Sequence, residues 1–368
     1  MRYFFSTGES SGELSATLLA AAIAKLDPDA QFSGIGAIRM AESGFTVVSR
    51  SDGWSSMGPI SAISKIPKLL LVFWRILLHL LRERPDLIVL VDFGAFNLRL
   101  ARSLRRFGYR RPILYFFPPG AWLDRPKQAR AVSLYTAPLT PFAHQRDFYR
   151  SAGLPIAYFG HPLVGEYIAR PARPAAPPDG GTVGLLPGSR GGELRYHIPA
   201  LLDAFALLKA QRCALRGILG AADAPAERMA QGEILARNLS DICVVRSARA
   251  ALEGADAAWI ASGTAVLEAA LSGVPSIALY ILSRAQAKIA RRVYHGSAIT
   301  IPNLVLGRRV LPELLQENAT PSELAREMDE LLADPGAQYR RLLDLRRALG
   351  PGDALAQAAG YAFELAKS

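Results

Sequence analysis

The chain has 368 residues, half of them hydrophobic, which favours two domains with a core each. Its formal net charge of +11 favours anionic partners, but the basic residues are scattered without a nucleic-acid-binding motif, so we expect no nucleic-acid partner. Cys213 and Cys243 stand in apolar sequence without a CxxC or Cys/His cluster. This argues against a disulfide framework or a structural metal and fits a reducing cytoplasm.

Strand and helix patterns alternate along the first part of the chain, as in parallel α/β layers. The predicted strands are residues 2–6, 32–35, 46–49, 86–91, 112–116, 134–137 and 157–159. The predicted helices cover residues 12–26, 60–84 and 97–107. The proline-rich stretch 170–181 has no apolar period and predicts a stiff linker.

The same alternation restarts after this linker. The predicted strands are residues 183–186, 215–219, 242–245, 257–260 and 276–279, and the predicted helices are 198–210, 225–237, a helix from Thr264 and most of 321–368. We therefore predict an α/β protein with two Rossmann-like doubly wound domains, residues 1–169 and 182–345, and an interdomain cleft at the carboxyl ends of the strands. The last helix, residues 346–368, is predicted to pack back on the first domain.

The turn LLPGSRGGE, residues 185–193, joins an apolar strand to a helix. Backbone N–H groups near Gly188 and Ser189 would lie at a positive helix end, where phosphate binds well. Arg190 adds a forked cation that matches a diphosphate. An ordinary turn with a surface arginine explains this motif about as well.

A second turn of the same design follows the apolar strand AWIA. Ser262 and Thr264 flank Gly263 at a helix start, and their hydroxyls suit a phosphate. Glu268 lies one turn further on the same helix face and is predicted to accept the hydroxyls of a ribose. The alternative is a solvated helix glutamate, which the apolar neighbours argue against.

Asp92 ends the apolar strand DLIVLV. A carboxylate at the carboxyl end of a central parallel strand points towards the ligand site and is partly desolvated, which suits a general base. We favour this role over a carboxylate that only orders its own turn. Asn97 is predicted to hold a substrate hydroxyl or to cap the helix that it begins.

Further candidate positions lie beside other predicted turns. Ser11, in GESSGE after the first strand, is predicted to contact a sugar or phosphate, with a helix N-cap as the alternative. Trp122 is a candidate wall of a sugar site. His161, just before the linker, is a candidate donor to an anion or a structural residue near the hinge.

Residues 69–81, LLLVFWRILLHLL, are too short to span a bilayer. Lysines and arginines flank or interrupt the longer segment from Lys65 to Arg84, and Phe73 and Trp74 lie inside it. This layout is typical of a helix in a membrane interface, although a buried core helix also demands a wide apolar face.

Taken in order, these pieces resemble the lipid-A-disaccharide synthase family, which has a two-domain glycosyltransferase fold of the GT-B type. The matching segments are GESSGE at Gly8, MG at Met57, VDFGAFN at Val91, FGHP at Phe159, LLPGSRGGE at Leu185, ASGTAVLEAA at Ala261 and IPNLVLGRRVLPELLQE at Ile301. The resemblance implies transfer of 2,3-diacylglucosamine from UDP to the 6-hydroxyl of 2,3-diacylglucosamine 1-phosphate, with inversion and release of UDP. It implies no metal and no cofactor besides the UDP-sugar donor.

Carried over by motif, the resemblance makes Asp92 the base on the acceptor hydroxyl and Arg190 the group that neutralises the leaving diphosphate. The residues it implies for substrate binding are Ser11, Gly188, Ser189, Ser262, Gly263, Thr264, Glu268, Asn303 and Gln316. Acylated substrates also imply a cytoplasmic enzyme that is peripheral on the inner membrane, which favours the interfacial role of the basic, apolar segment. A homodimer is left open.

The chain departs from the family pattern beside the expected base. Gly94 and Ala95 replace a proline and a second aspartate, and Gly120-Ala121-Trp122 replaces a longer tryptophan-rich segment. The acceptor and its acyl chains therefore stay open. The alternatives are a GT-B enzyme that acts on another lipid-linked sugar, an epimerase of UDP-GlcNAc, or a nucleotide- or lipid-binding protein without catalysis.

Overall fold

The computed structural model of the chain describes residues 1–51, 59–120, 125–167, 171, 174–293, 296 and 298–368, with the side chains of 59–68, 289 and 293 left out of the description. The chain divides into two compact units, Met1–Glu166 with Leu349–Ser368, and Tyr167–Ala348. Each unit has a parallel sheet with helices, so the predicted α/β class with two Rossmann-like sheets is confirmed. The interdomain cleft stays a prediction.

Within the described residues, the first unit contains a sheet of seven parallel strands. Its strands are β1 (Arg2–Ser6), β2 (Gln31–Gly36), β3 (Thr46–Arg50), β4 (Leu87–Val91), β5 (Ile113–Phe116), β6 (Ala137–Thr140) and β7 (Ala157–Tyr158). Its helices before the second unit are α1 (Ser10–Ala24), α2 (Ile38–Glu42), α3 (Pro59–Glu83), α4 (Gly94–Arg106), α5 (Pro126–Tyr135), α6 (Ala143–Ser151) and α7 (Leu163–Glu166).

The second unit, as far as it is described, contains a sheet of six parallel strands. Its strands are β8 (Thr182–Leu186), β9 (Arg216–Gly220), β10 (Ile242–Val245), β11 (Ala257–Ala261), β12 (Ser276–Tyr280) and β13 (Glu313–Leu315). Its helices are α8 (Gly191–Gln211), α9 (Ala224–Ala236), α10 (Ala248–Gly254), α11 (Thr264–Ser272), α12 (Arg284–Val293), α13 (Ile301–Leu306), α14 (Pro321–Ala333) and α15 (Pro335–Leu349), with a 3-10 turn at Gln316–Asn318.

The central strands are apolar along their whole length because helices cover both faces of each sheet. All five residues of β4 and of β11 are buried. Trp259 of β11 is fully buried, and its indole N–H donates to the Leu324 carbonyl oxygen at 3.1 Å. The one polar atom of this large side chain is therefore satisfied inside the core.

Each sheet reverses its strand order once. The first runs β3-β2-β1-β4-β5-β6-β7 and the second β10-β9-β8-β11-β12-β13. The reversals lie between β1 and β4 and between β8 and β11, which pair directly. At such a point the loops after the two strands leave in opposite directions, so a crevice opens at their carboxyl ends.

The C-terminal helix α16 (Ala354–Lys367) belongs to the first unit and packs against α1. The chain reaches it through a close crossing of glycines. A Cβ on Gly160, whose φ is +104°, would lie 2.9 Å from the Leu349 carbonyl oxygen, and a Cβ on Gly165 would overlap the carbonyl oxygen of Gly352. Two backbones approach here more closely than a side chain permits.

The two units divide between Glu166 and Tyr167, before the proline-rich stretch. Arg212, which is 5% exposed, donates to the Pro177 carbonyl oxygen at 2.8 Å and to Asp329 Oδ1 at 2.6 Å. A buried guanidinium needs such partners, so it ties the stretch to the second unit.

One smaller expectation, the strand at residues 134–137, was wrong. Residues 134 and 135 end α5, and the strand β6 starts only at Ala137, because a short apolar run does not distinguish a helix end from a strand. Cys213 and Cys243 are exposed. Cys243 lies in β10, the edge strand of its sheet, where one side of the strand has no neighbour.

We expect Gly165→Ala to lower the free energy of unfolding by about 1–3 kcal/mol, since the new methyl group would force the glycine crossing apart. Gly360→Ala is the matched control. Gly360 lies in α16 with open space at its Cβ position, so alanine there should stabilise by up to about 1 kcal/mol through helix propensity. Urea denaturation measures both, and equal midpoints for the two variants would contradict the crossing.

Candidate functional site

The turns after β1 and β4 touch each other at the first strand-order reversal. A Cβ on Gly8 would overlap the ring of Phe93, so the GESSGE turn lies directly against the turn that carries Asp92. Glycine is required at this position because the aromatic ring takes the space of a side chain. The structure therefore brings together two motifs that are far apart in the sequence.

Asp92 starts a strained turn. Asp92 and Phe93 have φ values of +49° and +48°, a left-handed conformation that costs about 1–2 kcal/mol for each non-glycine residue. The Asp92 carbonyl oxygen accepts hydrogen bonds from Asn97 Nδ2 and from the Tyr115 hydroxyl, both at 2.9 Å. The Asp92 side chain is exposed, not partly desolvated as expected.

Asn97 is a clamp for this turn. It is fully buried, its Oδ1 accepts from the Ser6 hydroxyl at 2.6 Å, and its Nδ2 also faces the carbonyl oxygens of Ser6 and Val91 at 3.3 Å. A fully buried amide with these partners is not accessible to a substrate hydroxyl. The predicted substrate contact of Asn97 is corrected to a structural one that holds the ends of β1 and β4 together.

Ser11 lies in the first turn of α1 and is half-buried. The N-cap of α1 is Glu9, so the alternative in which Ser11 caps the helix is wrong. Its contact with a sugar or phosphate stays a prediction. The second glutamate of GESSGE, Glu13, is buried and accepts from the Ala37 backbone N–H, which explains its place in the motif.

At the second reversal, two helix N-termini lie side by side. Gly188 has a φ of +96°, and a Cβ there would lie 3.2 Å from the Cβ of Ala261, so the turn after β8 touches the end of β11. Arg190 and Gly263 are the N-caps of α8 and α11. Ser189 is exposed, and a Cβ on Gly263 would meet open space. The first N–H groups of a helix have no partner within that helix, so neighbouring helix starts favour an anion.

Arg190 is part of a side-chain network. Its Nη1 lies 3.2 Å from Glu193 Oε1 and 3.4 Å from the Tyr280 hydroxyl. The Tyr280 hydroxyl donates to the same Glu193 oxygen at 2.5 Å. Burial, and then the Glu193 carboxylate, raise the pKa of Tyr280 to about 12, so this hydroxyl remains a donor. Arg190 is thus held in place, unlike an ordinary surface arginine.

The turn after β11 is also held by specific contacts. The Ser262 hydroxyl donates to the Ile299 carbonyl oxygen at 3.4 Å, and Thr264 is the half-buried first residue of α11. Glu268 is half-buried, and its Oε2 accepts from the Tyr167 hydroxyl at 2.6 Å. The solvated alternative for Glu268 is therefore wrong. Tyr167 was missed because no sequence pattern links it to α11.

Asn303 and Gln316 differ in burial and therefore in their access to a ligand. Asn303 is 2% exposed, its Oδ1 accepts from the N–H groups of Val310 and Leu311, and its Nδ2 donates to Glu313 Oε1 at 2.8 Å. Its predicted place in a ligand site is corrected to a loop-holding role. Gln316 is half-buried directly after β13, with a φ of +52°, so it lies at the carboxyl edge of the sheet, and its role in substrate binding stays a prediction.

His161 is a core residue. It is 2% exposed and lies between the rings of Phe117 and Phe142, with centroids 5.5 Å away in both cases. Its Nδ1 accepts from the Leu163 N–H at 3.3 Å. Burial lowers the pKa of His161 to about 3, so the ring is neutral and its proposed contact with an anion is corrected. Trp122 lies outside the described residues.

Helix α3 is apolar on two faces. Phe73, Ile76, Leu77 and Leu80 are buried in the core of the first unit. A second set of α3 side chains is exposed, with fractions of 43–62%: Leu70, Leu71, Trp74 and Leu78. The core expectation is therefore confirmed for one face of α3, and the membrane-interface role of the exposed face stays a prediction. The side chain of Lys65 lies outside the described ones. No helix in the described ranges is long and apolar enough to cross a membrane.

Comparisons with known proteins agree with this architecture. A family model described as lipid-A-disaccharide synthetase matches residues 3–349. The lipid-A-disaccharide synthase of Acidobacterium capsulatum is 34% identical over 364 residues, which cover 93% of this chain and 89% of that protein. Among solved structures, UDP-GlcNAc 2-epimerase from Neisseria meningitidis bound to UDP-GlcNAc has a TM-score of 0.65 at 10% identity, covering 99% of this chain and 100% of that one. The spinosyn forosaminyltransferase SpnP has a TM-score of 0.62 at 15% identity, covering 100% of both chains. These two likenesses concern the fold.

The neutral, buried His161 predicts acid lability. Its folded pKa, about 3, lies below the unfolded value of about 6.5, so its contribution is complete above pH 6.5 and is lost as the pH falls from there towards 3. The loss between pH 7 and pH 5 should be about 2 kcal/mol. The difference between the urea midpoints at the two pH values should shrink in His161→Gln, whereas His144→Gln, at an exposed histidine, should keep the wild-type difference. If His161→Gln keeps the wild-type difference between the two midpoints, the buried, neutral state of His161 is contradicted.

Proposed function

The chain belongs to the lipid-A-disaccharide synthetase family, and we propose that it joins UDP-2,3-diacylglucosamine to 2,3-diacylglucosamine 1-phosphate and releases UDP. One observation carries this proposal. The family match extends through both units, and the family's glycine turns and Asp92 lie at the two strand-order reversals, where open α/β sheets bind ligands.

Asp92 is the proposed base. Its carboxylate takes the proton of the acceptor 6-hydroxyl, whose oxygen attacks the anomeric carbon from the side opposite the diphosphate. The bond from that carbon to the diphosphate oxygen breaks, and the electron pair leaves with UDP, so the configuration inverts. The strained turn supports this role, because Asn97 and Tyr115 hold the backbone of Asp92 while its side chain remains accessible.

Arg190 and the N-termini of α8 and α11 are the proposed site for the diphosphate of the donor. A forked guanidinium and oriented N–H groups stabilise the negative charge that grows on the departing UDP. Glu268 is proposed to bind the ribose hydroxyls, with Tyr167 holding one of its carboxylate oxygens. These groups supply the positive field for the reaction, so we propose no metal and no cofactor besides the sugar nucleotide.

The alternatives are less well supported. The epimerase likeness rests on 10% identity and concerns the fold, and His161, the histidine that an epimerase would use, is buried and neutral. The replacement at Gly94 has a local reason, since a Cβ there would lie 2.7 Å from the Pro119 side chain. It therefore does not by itself indicate another lipid-linked acceptor.

We expect Asp92→Asn to lower the turnover by about 10²- to 10⁴-fold, because the amide accepts no proton. UDP affinity should stay within about twofold, since the donor groups proposed above remain. Asp147→Asn, at an exposed aspartate of α6, is the matched control and should keep full turnover. The measurements are mass spectrometry of the disaccharide product and release of UDP from the two acylated substrates. A wild-type chain that forms no disaccharide would overturn the function, and an active Asp92→Asn would overturn the base.

We also propose that the exposed apolar stripe of α3, defined as Leu70, Leu71, Trp74 and Leu78, docks on the anionic inner face of the cytoplasmic membrane. Exposed arginines lie on the same pair of packed helices, with Arg75 on α3 itself and Arg99 and Arg102 on α4, which packs against α3. Apolar side chains that enter the interface and cations that face lipid phosphates act together. A peripheral location brings the enzyme to substrates with acyl chains.

Replacing Leu71 and Trp74 with serine should therefore weaken binding to phosphatidylglycerol-containing vesicles by at least about 10-fold. The reason is that two side chains lose the apolar surface that they would bury in the membrane interface. Leu235→Ser is the control, because Leu235 is 77% exposed in the second unit but lies outside the stripe. Cosedimentation with vesicles measures the effect. Equal losses in the control and in the double variant would contradict docking through α3.

A further inference from the structure

Two side chains of α8 connect the turn after β8 to the end of β12. Glu193 and His197 are one helical turn apart, so they project from the same face of α8. Each of them contacts the turn on one side and β12 or the residue after it on the other. With Tyr280, these side chains form a group that we call the brace: Glu193, His197 and Tyr280.

His197 is the inner part of the brace. It is fully buried, its Nδ1 lies 2.8 Å from the Pro187 carbonyl oxygen, and its Nε2 lies 2.9 Å from the Ile281 backbone nitrogen. A backbone N–H only donates and a carbonyl only accepts, so Nε2 is the acceptor and the proton is on Nδ1. Burial lowers the pKa of His197 and agrees with this neutral tautomer.

The outer part of the brace holds Arg190 itself. Glu193 Oε1 accepts from both the Tyr280 hydroxyl, at 2.5 Å, and Arg190 Nη1, at 3.2 Å. The Glu193 carboxylate is thus shared between the Tyr280 hydroxyl and the Arg190 guanidinium, and it orients the guanidinium. Glu193 Oε1 thus fixes the Arg190 guanidinium relative to Tyr280 at the end of β12.

The brace spans the second glycine turn. Because β11 pairs with β8 on one side and with β12 on the other, a link from the β8 turn to β12 reaches past the end of β11. The turn Ser262–Thr264 lies at that end. The brace therefore fixes the turn after β8 relative to β12, the strand that pairs directly with β11, and small displacements of diphosphate-binding groups are costly to catalysis.

We propose that Glu193, His197 and Tyr280 are positioning residues that fix Arg190 and the 187–190 turn for the diphosphate of the sugar nucleotide. This rests on the proposed function, in which Arg190 meets that diphosphate. The brace touches no reacting atom. The effect of Glu193 and Tyr280 passes through Arg190, and that of His197 passes through the backbone of the turn.

The test is the affinity of the full chain for UDP, measured by calorimetry, in a double-mutant cycle. We expect Arg190→Ala to weaken UDP binding by about 10-fold or more, and Tyr280→Phe to weaken it by about 3- to 10-fold, through loss of a charge-assisted hydrogen bond. In the Arg190→Ala background, Tyr280→Phe should change the affinity by less than about twofold, since coupled residues are not additive. Tyr196→Phe, on the same helix but outside the brace, is the matched control and should bind like wild type.

His197 is tested by rescue. His197→Gln keeps one donor and one acceptor on the side chain and should retain UDP affinity better than His197→Phe, while thermal denaturation verifies that both variants fold. Equal affinity of the two variants, or a full Tyr280→Phe effect without Arg190, would overturn the positioning role. Absence of UDP binding in the wild-type chain would overturn the proposed function instead. Wild-type binding that depends on Arg190 but not on Tyr280 would overturn the brace alone.

Discussion

The reversal of strand order in each parallel sheet is the constraint on which the candidate site depends. Parallel strands need crossover helices, and these crossovers pack on one face or the other according to the direction in which the sheet grows. Between β1 and β4, and between β8 and β11, the growth direction changes. The two turns at each reversal therefore meet without a helix between them, and polar groups that follow those strands become neighbours.

The two units make these turns rigid in different ways. In the first, Asp92 and Phe93 adopt a conformation that most residues avoid, and the buried amide of Asn97 holds it by bonding the backbone. In the second, glycine supplies the unusual conformation at Gly188 without strain, and the brace on α8 supplies the rigidity. In both units a buried, hydrogen-bonded side chain supports the turn that carries an accessible side chain with a proposed function: Asn97 supports the turn of Asp92, and His197 that of Arg190.

This arrangement explains why several polar residues beside turns are not ligands. Asn97, His161 and Asn303 lie close to the carboxyl edges of the sheets, as ligands would, but each is buried and hydrogen-bonded to other parts of the protein. Buried polar groups need partners, so a motif residue next to a site often holds the site together. Helix α3 shows the same double use for apolar residues, with one face in the core and another exposed.

The sequence by itself determined the α/β class, the two sheets, the positions of the glycine turns and Asp92 at strand ends, and the family. Local patterns are sufficient for these, because apolar runs, glycine and helix starts act over a few residues. Only the tertiary structure decided that Asn97 and Asn303 are clamps, that Tyr167 holds Glu268, and that α3 is apolar on both a core and an exposed face. Those decisions depend on contacts between distant segments, and whether a polar group faces a ligand or the core is set by burial, which no local spacing encodes.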